Sequence, residues 1–210
     1  MPDIVDALAS VLGRDVSRET RDRLETHLSL LTKWNRAINL VSPGTIETAW
    51  SRHILDSAEV FAAAPAPSGH WLDFGTGGGF PGLVCAILAS ELAPELEFTL
   101  VESDKRKSAF LMTVLRETRV NATVAAQRLE NMAPQSADLI SARAVASLPD
   151  LLSYAYPHLA KEGHCLFPKG VRAEEEVASA SDSWRFKLEC RPSITDPNTA
   201  ILVLGEIERV

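Results

Sequence analysis

Apolar residues recur at helical spacing through the first third of the chain. Ile4, Leu8, Val11 and Leu12 lie three or four apart and stop at Gly13. Ser17 caps a second segment in which Leu24, Leu28, Leu31 and Trp34 share one face, so residues 3–36 read as helices. A Ser42-Pro43-Gly44 turn interrupts residues 37–48, and helical spacing returns over 47–63. Pro65-Ala66-Pro67-Ser68-Gly69 then breaks the pattern. That break divides an N-terminal helical cap (1–66) from a second unit (67–210).

Beyond the break, short apolar runs alternate with helical patterns. Strands are expected at 71–74, 97–102, 122–126, 137–141 and 163–167, with helices at 82–92, 105–118, 147–160 and 172–180. The tail reads as two further strands, 186–190 and 200–206, joined by a 192–199 loop. Such alternation predicts an α/β fold: a doubly wound, mostly parallel, seven-stranded Rossmann-like sheet with an antiparallel edge. At 210 residues the whole chain fits one compact domain.

Composition narrows the class. Hydrophobic content of 46% and charged content of 23% are those of a globular protein. No apolar run reaches the length of a membrane span, so no membrane partner is expected. The start, Met1-Pro2-Asp3-Ile4-Val5-Asp6, is acidic and unlike a signal peptide. Cys85, Cys165 and Cys190 are odd in number and far apart, giving neither a disulfide frame nor a metal spacing. A cytoplasmic protein without metal follows. The net charge of −7 argues against non-specific nucleic-acid binding. Residues 1–60 carry seven basic and nine acidic side chains, so any basic face must be built from selected residues.

The candidate chemistry sits in Asp73-Phe74-Gly75-Thr76-Gly77-Gly78-Gly79-Phe80-Pro81-Gly82. Five of the eight residues from Gly75 to Gly82 are glycine, between a predicted strand and a predicted helix. Each glycine costs roughly 0.5–1 kcal/mol against alanine in a regular element. The compensation is close backbone approach to a ligand at a helix N-terminus. Pro81 suits the first turn of that helix. Gly77, Gly79 and Gly82 satisfy the dinucleotide pattern, whereas Asp73, Gly75, Gly77 and Gly79 satisfy D-x-G-x-G-x-G, which resembles the first motif of S-adenosylmethionine-dependent methyltransferases. Asp73 favours the second reading. A carboxylate there can order the loop or meet a cationic ligand through water, and would repel pyrophosphate. Glu102, ending the next strand, can accept ribose hydroxyls with either cofactor.

The decade from Asp73 to Gly82 also resembles the bacterial RsmG family (glucose-inhibited division protein B), small-subunit rRNA guanine-N7 methyltransferases. Further segments agree: Trp34-Asn35 with Asn39-Leu40, Arg52-His53-Ile54-Leu55-Asp56-Ser57, and Val101-Glu102-Ser103 with Lys105, Lys107, Phe110 and Leu111. Arg128-Leu129-Glu130, Ser141 to Ala146 and Lys169-Gly170 continue the match in order. The resemblance implies S-adenosyl-L-methionine as cofactor, with Gly75 and Phe80 lining it and Leu129 and Glu130 bordering its adenine. It places Arg143 near both donor and target base. It also implies 16S rRNA or the small ribosomal subunit as partner, and N7 of one guanine as the acceptor.

That chemistry suits the residues. Guanine N7 carries an in-plane lone pair and no proton, so no general base is needed and alignment carries the rate. Arg143 can hold the base or a phosphate; its alternative is an ion pair with Asp138 or Glu130. Arg52, His53 and Asp56 fall on one helical face, as a polar network between cap and sheet or as an RNA contact. Arg52, Lys105 and Lys169 are the candidate RNA ligands, Trp34 is core, and Glu174-Glu175-Glu176 is a solvated face. A monomer is expected. Two other readings remain: a small-molecule methyltransferase, with a closed apolar pocket, and a catalytically silent assembly factor, with a damaged donor loop.

Overall fold

The computed structural model describes residues 4–65 and 68–210. The boundary expected at 66/67, the first three residues and the Pro67 end of the break therefore lie outside the described residues. Two helices lead the chain, α1 (Ile4–Leu12) and α2 (Arg18–Asn35), the second capped by Ser17 Oγ accepting from the Thr20 N–H. A wide π-helical turn, Trp50–Leu55, runs into α3 (Asp56–Ala63). The sheet then begins: β1 (Gly69–Phe74), α4 (Gly82–Leu92), β2 (Leu96–Val101), α5 (Lys105–Thr118), β3 (Thr123–Ala125) and β4 (Ala137–Ser141). It continues with α6 (Leu148–Ala155), β5 (Leu159–Lys169), α7 (Ala173–Ser181), β6 (Trp184–Pro192) and β7 (Ala200–Arg209).

The seven strands lie in the order β3-β2-β1-β4-β5-β7-β6. β1 to β5 are parallel, while β7 is antiparallel to both β5 and β6. The doubly wound α/β sheet with an antiparallel edge is thus present. The chain order reverses direction at β1/β4, and the carboxyl ends of those strands open the crevice where such sheets bind ligands.

Alternation along β1 distributes the core. Trp71 joins the face covered by α2, α4 and α5, with Leu24, Leu31, Leu83, Ile87 and Phe110. Leu72 and Phe74 join the opposite face, with Leu148, Leu152, Phe167 and Trp184. Each fully buried side chain of this size stabilises by roughly 1.5–3 kcal/mol. Because α1 and α2 contribute Leu8, Leu24 and Leu31 to the same cluster as α4 and α5, the N-terminal helices are part of the sheet's own packing. A polar tie reinforces this: Glu91, at the end of α4, accepts from the Ser17 N–H (3.0 Å) and the Thr20 hydroxyl (2.6 Å) at the start of α2.

Most element ends shift by one to three residues, and three differences go further. The helix predicted over 147–160 ends at Ala155 and tightens into a 3₁₀ turn, Tyr156–His158, because Pro157 cannot continue the α-helical hydrogen bonds. β5 starts four residues earlier than its apolar run, since Lys161 and Glu162 are exposed and its register against β4 is irregular. Residues 50–55 are π-helical rather than α-helical.

Candidate functional site

The carboxyl ends of β1, β4 and β5, with residues 39–45 and 193–201, enclose a cleft of about 1070 Å³. Its floor is the glycine loop. Gly75, Gly77 and Gly79 hold φ of +67°, +55° and +94°, a region that strains other residues. A side chain at Gly75 would meet Val145 Cγ2 at 2.5 Å. At Gly77 it would meet only carbonyl oxygens, of Gly75 at 3.7 Å and Leu40 at 4.0 Å, and would take up cleft space. The loop is therefore shaped for backbone contact with something seated on it.

Asp73 lies beneath this loop, fully buried, and is not part of the cleft wall. β1 and β4 bring Asp73 opposite Ser141, whose hydroxyl donates to Asp73 Oδ1 (2.5 Å) and accepts from Trp71 Nε1 (2.9 Å). Asp73 Oδ2 makes no hydrogen bond of good geometry, although the Gly82 N–H lies close enough to favour the charged form. Burial pushes the carboxyl up to about 6 against those donors. Gly82 is required here, because a Cβ would sit 2.5 Å from Asp73 Cγ. The loop-ordering role expected for Asp73 has this physical basis, and a direct ligand contact would have to pass through the loop.

Glu102 braces the same loop from the next strand. Its Oε2 accepts from the Gly77 N–H (2.9 Å) and its Oε1 from the Asp104 N–H (2.8 Å). Each oxygen keeps a lone pair for a further donor. Leu129 is buried and Glu130 exposed, in a 3₁₀ turn after β3; neither lines the cleft.

Arg143 is fixed from several sides. Its Nη2 donates to His53 Nδ1 (2.9 Å), its Nη1 donates to the Arg52 carbonyl (3.1 Å) and lies 3.6 Å from Asp56 Oδ2, and the guanidinium stands 5.2 Å from the Phe80 ring centroid. The alternative ion pair forms with Asp56, not with Asp138 or Glu130. Asp138 instead accepts from the His70 N–H. Since arginine can only donate, His53 Nδ1 is the acceptor and the Nε2–H donates to Thr45 Oγ1 (2.9 Å), which in turn donates to the Ser42 carbonyl. Burial, then the charge of Arg143, holds His53 down at about 4, so the ring is neutral at pH 7. Asp56 also accepts from Thr195 Oγ1 (2.6 Å). Burial raises its pKa against that bond and the neighbouring arginines. Arg52, His53 and Asp56 are thus the joint between the N-terminal segment, Arg143 and the 193–199 loop, with Arg52 pairing with Asp196 at 3.1 Å.

His27, from α2, holds the loop from the far side. Its Nε2 lies 2.8 Å from the Gly78 carbonyl, its ring stacks on Phe80 at 5.0 Å, and burial lowers it to about 4.

The three candidate RNA ligands differ. Arg52 lines the cleft and is half exposed. Lys105 is exposed at the start of α5 but off the wall, which Lys107 reaches instead. Lys169 lines the cleft with its side chain only 8% exposed, donating to the Ala146 carbonyl (2.9 Å) and Glu176 (2.7 Å). Glu176 also accepts from the Leu148 N–H, so it is not simply a solvated residue. Sequence reasoning missed the 39–45 wall. Its signal was Asn35, whose Oδ1 accepts from the Leu40 and Val41 N–H groups and folds that segment over the loop. Among the described residues no cluster could hold a metal ion, and no helix is long and apolar enough to cross a membrane.

The chain is similar to known proteins in sequence and in fold. Residues 20–198 match the family described as rRNA small subunit methyltransferase G. A Ribosomal RNA small subunit methyltransferase G of Cereibacter sphaeroides is 50% identical over 202 residues, 96% of this chain and 98% of that protein. Among solved structures, a ribosomal protein L11 methylase from Lactobacillus delbrueckii subsp. bulgaricus superposes with TM-score 0.58 at 18% identity, over 75% of this chain and 78% of the other. M. jannaschii TYW2 in complex with AdoMet gives 0.54 at 15%, over 83% and 80%. These low identities speak for the fold, and the longer match for the lineage: the chain belongs to the rRNA small subunit methyltransferase G family.

Proposed function

We propose that this protein methylates N7 of a guanine in 16S rRNA of the small ribosomal subunit, using S-adenosyl-L-methionine. It acts as a cytoplasmic monomer in this reading. The glycine loop fits the donor, with left-handed backbone, an open Gly77 and the Glu102 carboxylate set beside it. When bound, S-adenosyl-L-methionine supplies an electrophilic methyl group on a sulfonium. Gly75, Gly77 and Phe80 would hold it from the loop and Glu102 from the side, while Leu129 and Glu130, outside the cleft wall, would border an adenine that reached past it. Asp73 keeps the loop in shape from below.

The observation that carries the reading is the state of the groups around Arg143. Among the described residues, the two acceptors beside the arginine are already faced by donors, His53 by a hydrogen bond from Arg143 and Asp56 by the Thr195 hydroxyl and the arginine's charge. An acceptor atom with a lone pair and no proton to lose, such as guanine N7, is the substrate such a wall suits. Arg143 then orients the base or a neighbouring phosphate through its planar fork. Alignment in the cleft supplies several kcal/mol of barrier reduction. The guanine must leave its stack to enter, which favours unpaired RNA.

The test is incubation with labelled donor and small subunits from a strain lacking the modification. Label mapping to guanine N7 of 16S rRNA is the expected result. Tight donor binding without transfer to RNA would remove the proposal.

A further inference from the structure

Two of the most exposed aliphatic side chains stand at the mouth of the cleft. Val171 is 81% and Ile194 is 70% exposed. Each adjoins residues that line the cleft, Val171 between Gly170 and Arg172 and Ile194 after Ser193. Neither sits on a loose segment. The Ala173 N–H donates to the Gly170 carbonyl (2.9 Å), closing a turn with Val171 and Arg172 at its tip, and Lys169 anchors the base of that turn. The Ile194 N–H donates to Glu59 (2.9 Å), and the Ser193 N–H donates to the Thr199 carbonyl (3.0 Å). The backbone is tied down while the side chain is left in water, the pattern of a contact waiting for its partner.

Charge identifies that partner. The cleft is lined by five basic side chains against three carboxylates, in a chain whose net charge is −7. All three carboxylates, Asp56, Glu59 and Glu176, are engaged by internal donors. Arg172 and Lys107, on opposite walls, form no ion pair among the described residues. Free cations beside aliphatic tips fit a polymer that offers phosphates and unstacked base faces together. Single-stranded RNA does so, whereas a duplex hides its base faces.

We infer that the Val171–Arg172 turn and Ile194 form a rim that grips the unpaired nucleotides flanking the target base, with Arg172 and Lys107 on their phosphates. This rests on the rRNA reading above. It assigns the grip on the flanking nucleotides to the 170–173 turn and the 193–199 loop, not to the donor site.

Three measurements test it. In the Val171→Ser/Ile194→Ser protein, KM for the small subunit should rise about tenfold, equivalent to ~1.4 kcal/mol, with donor affinity unchanged. Arg172→Gln should reduce the steepness with which RNA affinity falls with salt by roughly one counterion, about 0.7 in log–log slope for a single strand. Independently, a photoreactive p-benzoylphenylalanine placed at Ile194 should crosslink to 16S rRNA on irradiated subunits. An unchanged KM with active wild-type protein overturns the rim. So does crosslinking only to a ribosomal protein, or to nothing. Absence of RNA methylation by the wild-type protein would instead remove the rRNA reading itself.

Discussion

Asp73→Asn separates the cost of the buried carboxylate from everything else in the site. Asp73 is an acid whose folded pKa, about 6, lies above its ordinary 3.8 because it is buried. Between those values the folded protein keeps a proton that the unfolded chain has released. Stability therefore falls as pH rises through that window, and above pH 6 the native state carries the full penalty. The rise from 3.8 to about 6 corresponds to about 3 kcal/mol. His27 and His53 act in the opposite sense. Both are held at about 4, below their ordinary 6.5, so they erode stability as pH falls from 6.5 to 4. The wild-type curve is thus a sum of opposing slopes, and only the difference between wild type and Asp73→Asn isolates the carboxylate. Urea unfolding of both proteins at intervals from pH 4 to 7.5 measures it. The amide adds a constant offset, since its NH₂ would turn a donor toward the Gly82 N–H, but it does not titrate. Relative to wild type, the variant should gain about 2 kcal/mol between pH 4 and pH 7, the rest of the penalty being already in place at pH 4. A difference that stays flat over that range would refute the burial argument. Donor affinity should drop in the same variant, because the stabilising gain comes from a group that shapes the loop.

Other perturbations read other parts of the site. Gly75→Val places a Cβ against Val145 at a φ of +67°. The backbone strain alone is about 1–3 kcal/mol, and calorimetric donor binding should be lost. His53→Asn keeps an acceptor near the Nδ1 position, while His53→Phe keeps the ring against Phe80 without one. The Phe variant should lose about tenfold in kcat, the ~1.4 kcal/mol at the low end for a hydrogen bond to a charged group; the Asn variant should lose little, and donor affinity should hold in both. Lys169→Met strands Glu176 and the Ala146 carbonyl. It should destabilise by about 2 kcal/mol in urea, below the ~3–5 kcal/mol of a fully buried pair, since Glu176 is 22% exposed.

The regular elements were legible where apolar spacing and sheet geometry agree. The helices at 82–92 and 105–118 and the strand at 137–141 coincide with α4, α5 and β4. β5 was half hidden, because Lys161, Glu162 and Gly163 break its apolar run before it enters the core. The glycine loop announced itself, since positive φ at Gly75, Gly77 and Gly79 leaves a compositional trace. The partners of Arg143 did not. His53 and Asp56 are about 90 residues away, and their approach depends on how the π-helical turn docks on the sheet. Residues 39–45 are polar loop in any periodicity reading, and only the bonds from Asn35 make them a wall. Lys107 entered only as one position of a family-like segment with Lys105, because helix phase decides which lysine reaches the cleft.

The bond from His27 to the Gly78 carbonyl has a thermodynamic reach beyond the loop. α2 supplies the imidazole, and its leucines belong to the core that α4 and α5 share. Any ligand that requires the ordered glycine loop must therefore also favour the docked α2. At a hundredfold excess over Kd, such a ligand adds roughly 2.7 kcal/mol to the folded state. The methyl donor is in this sense a folding ligand for the N-terminal helices, and a cell starved of it would hold those helices less firmly.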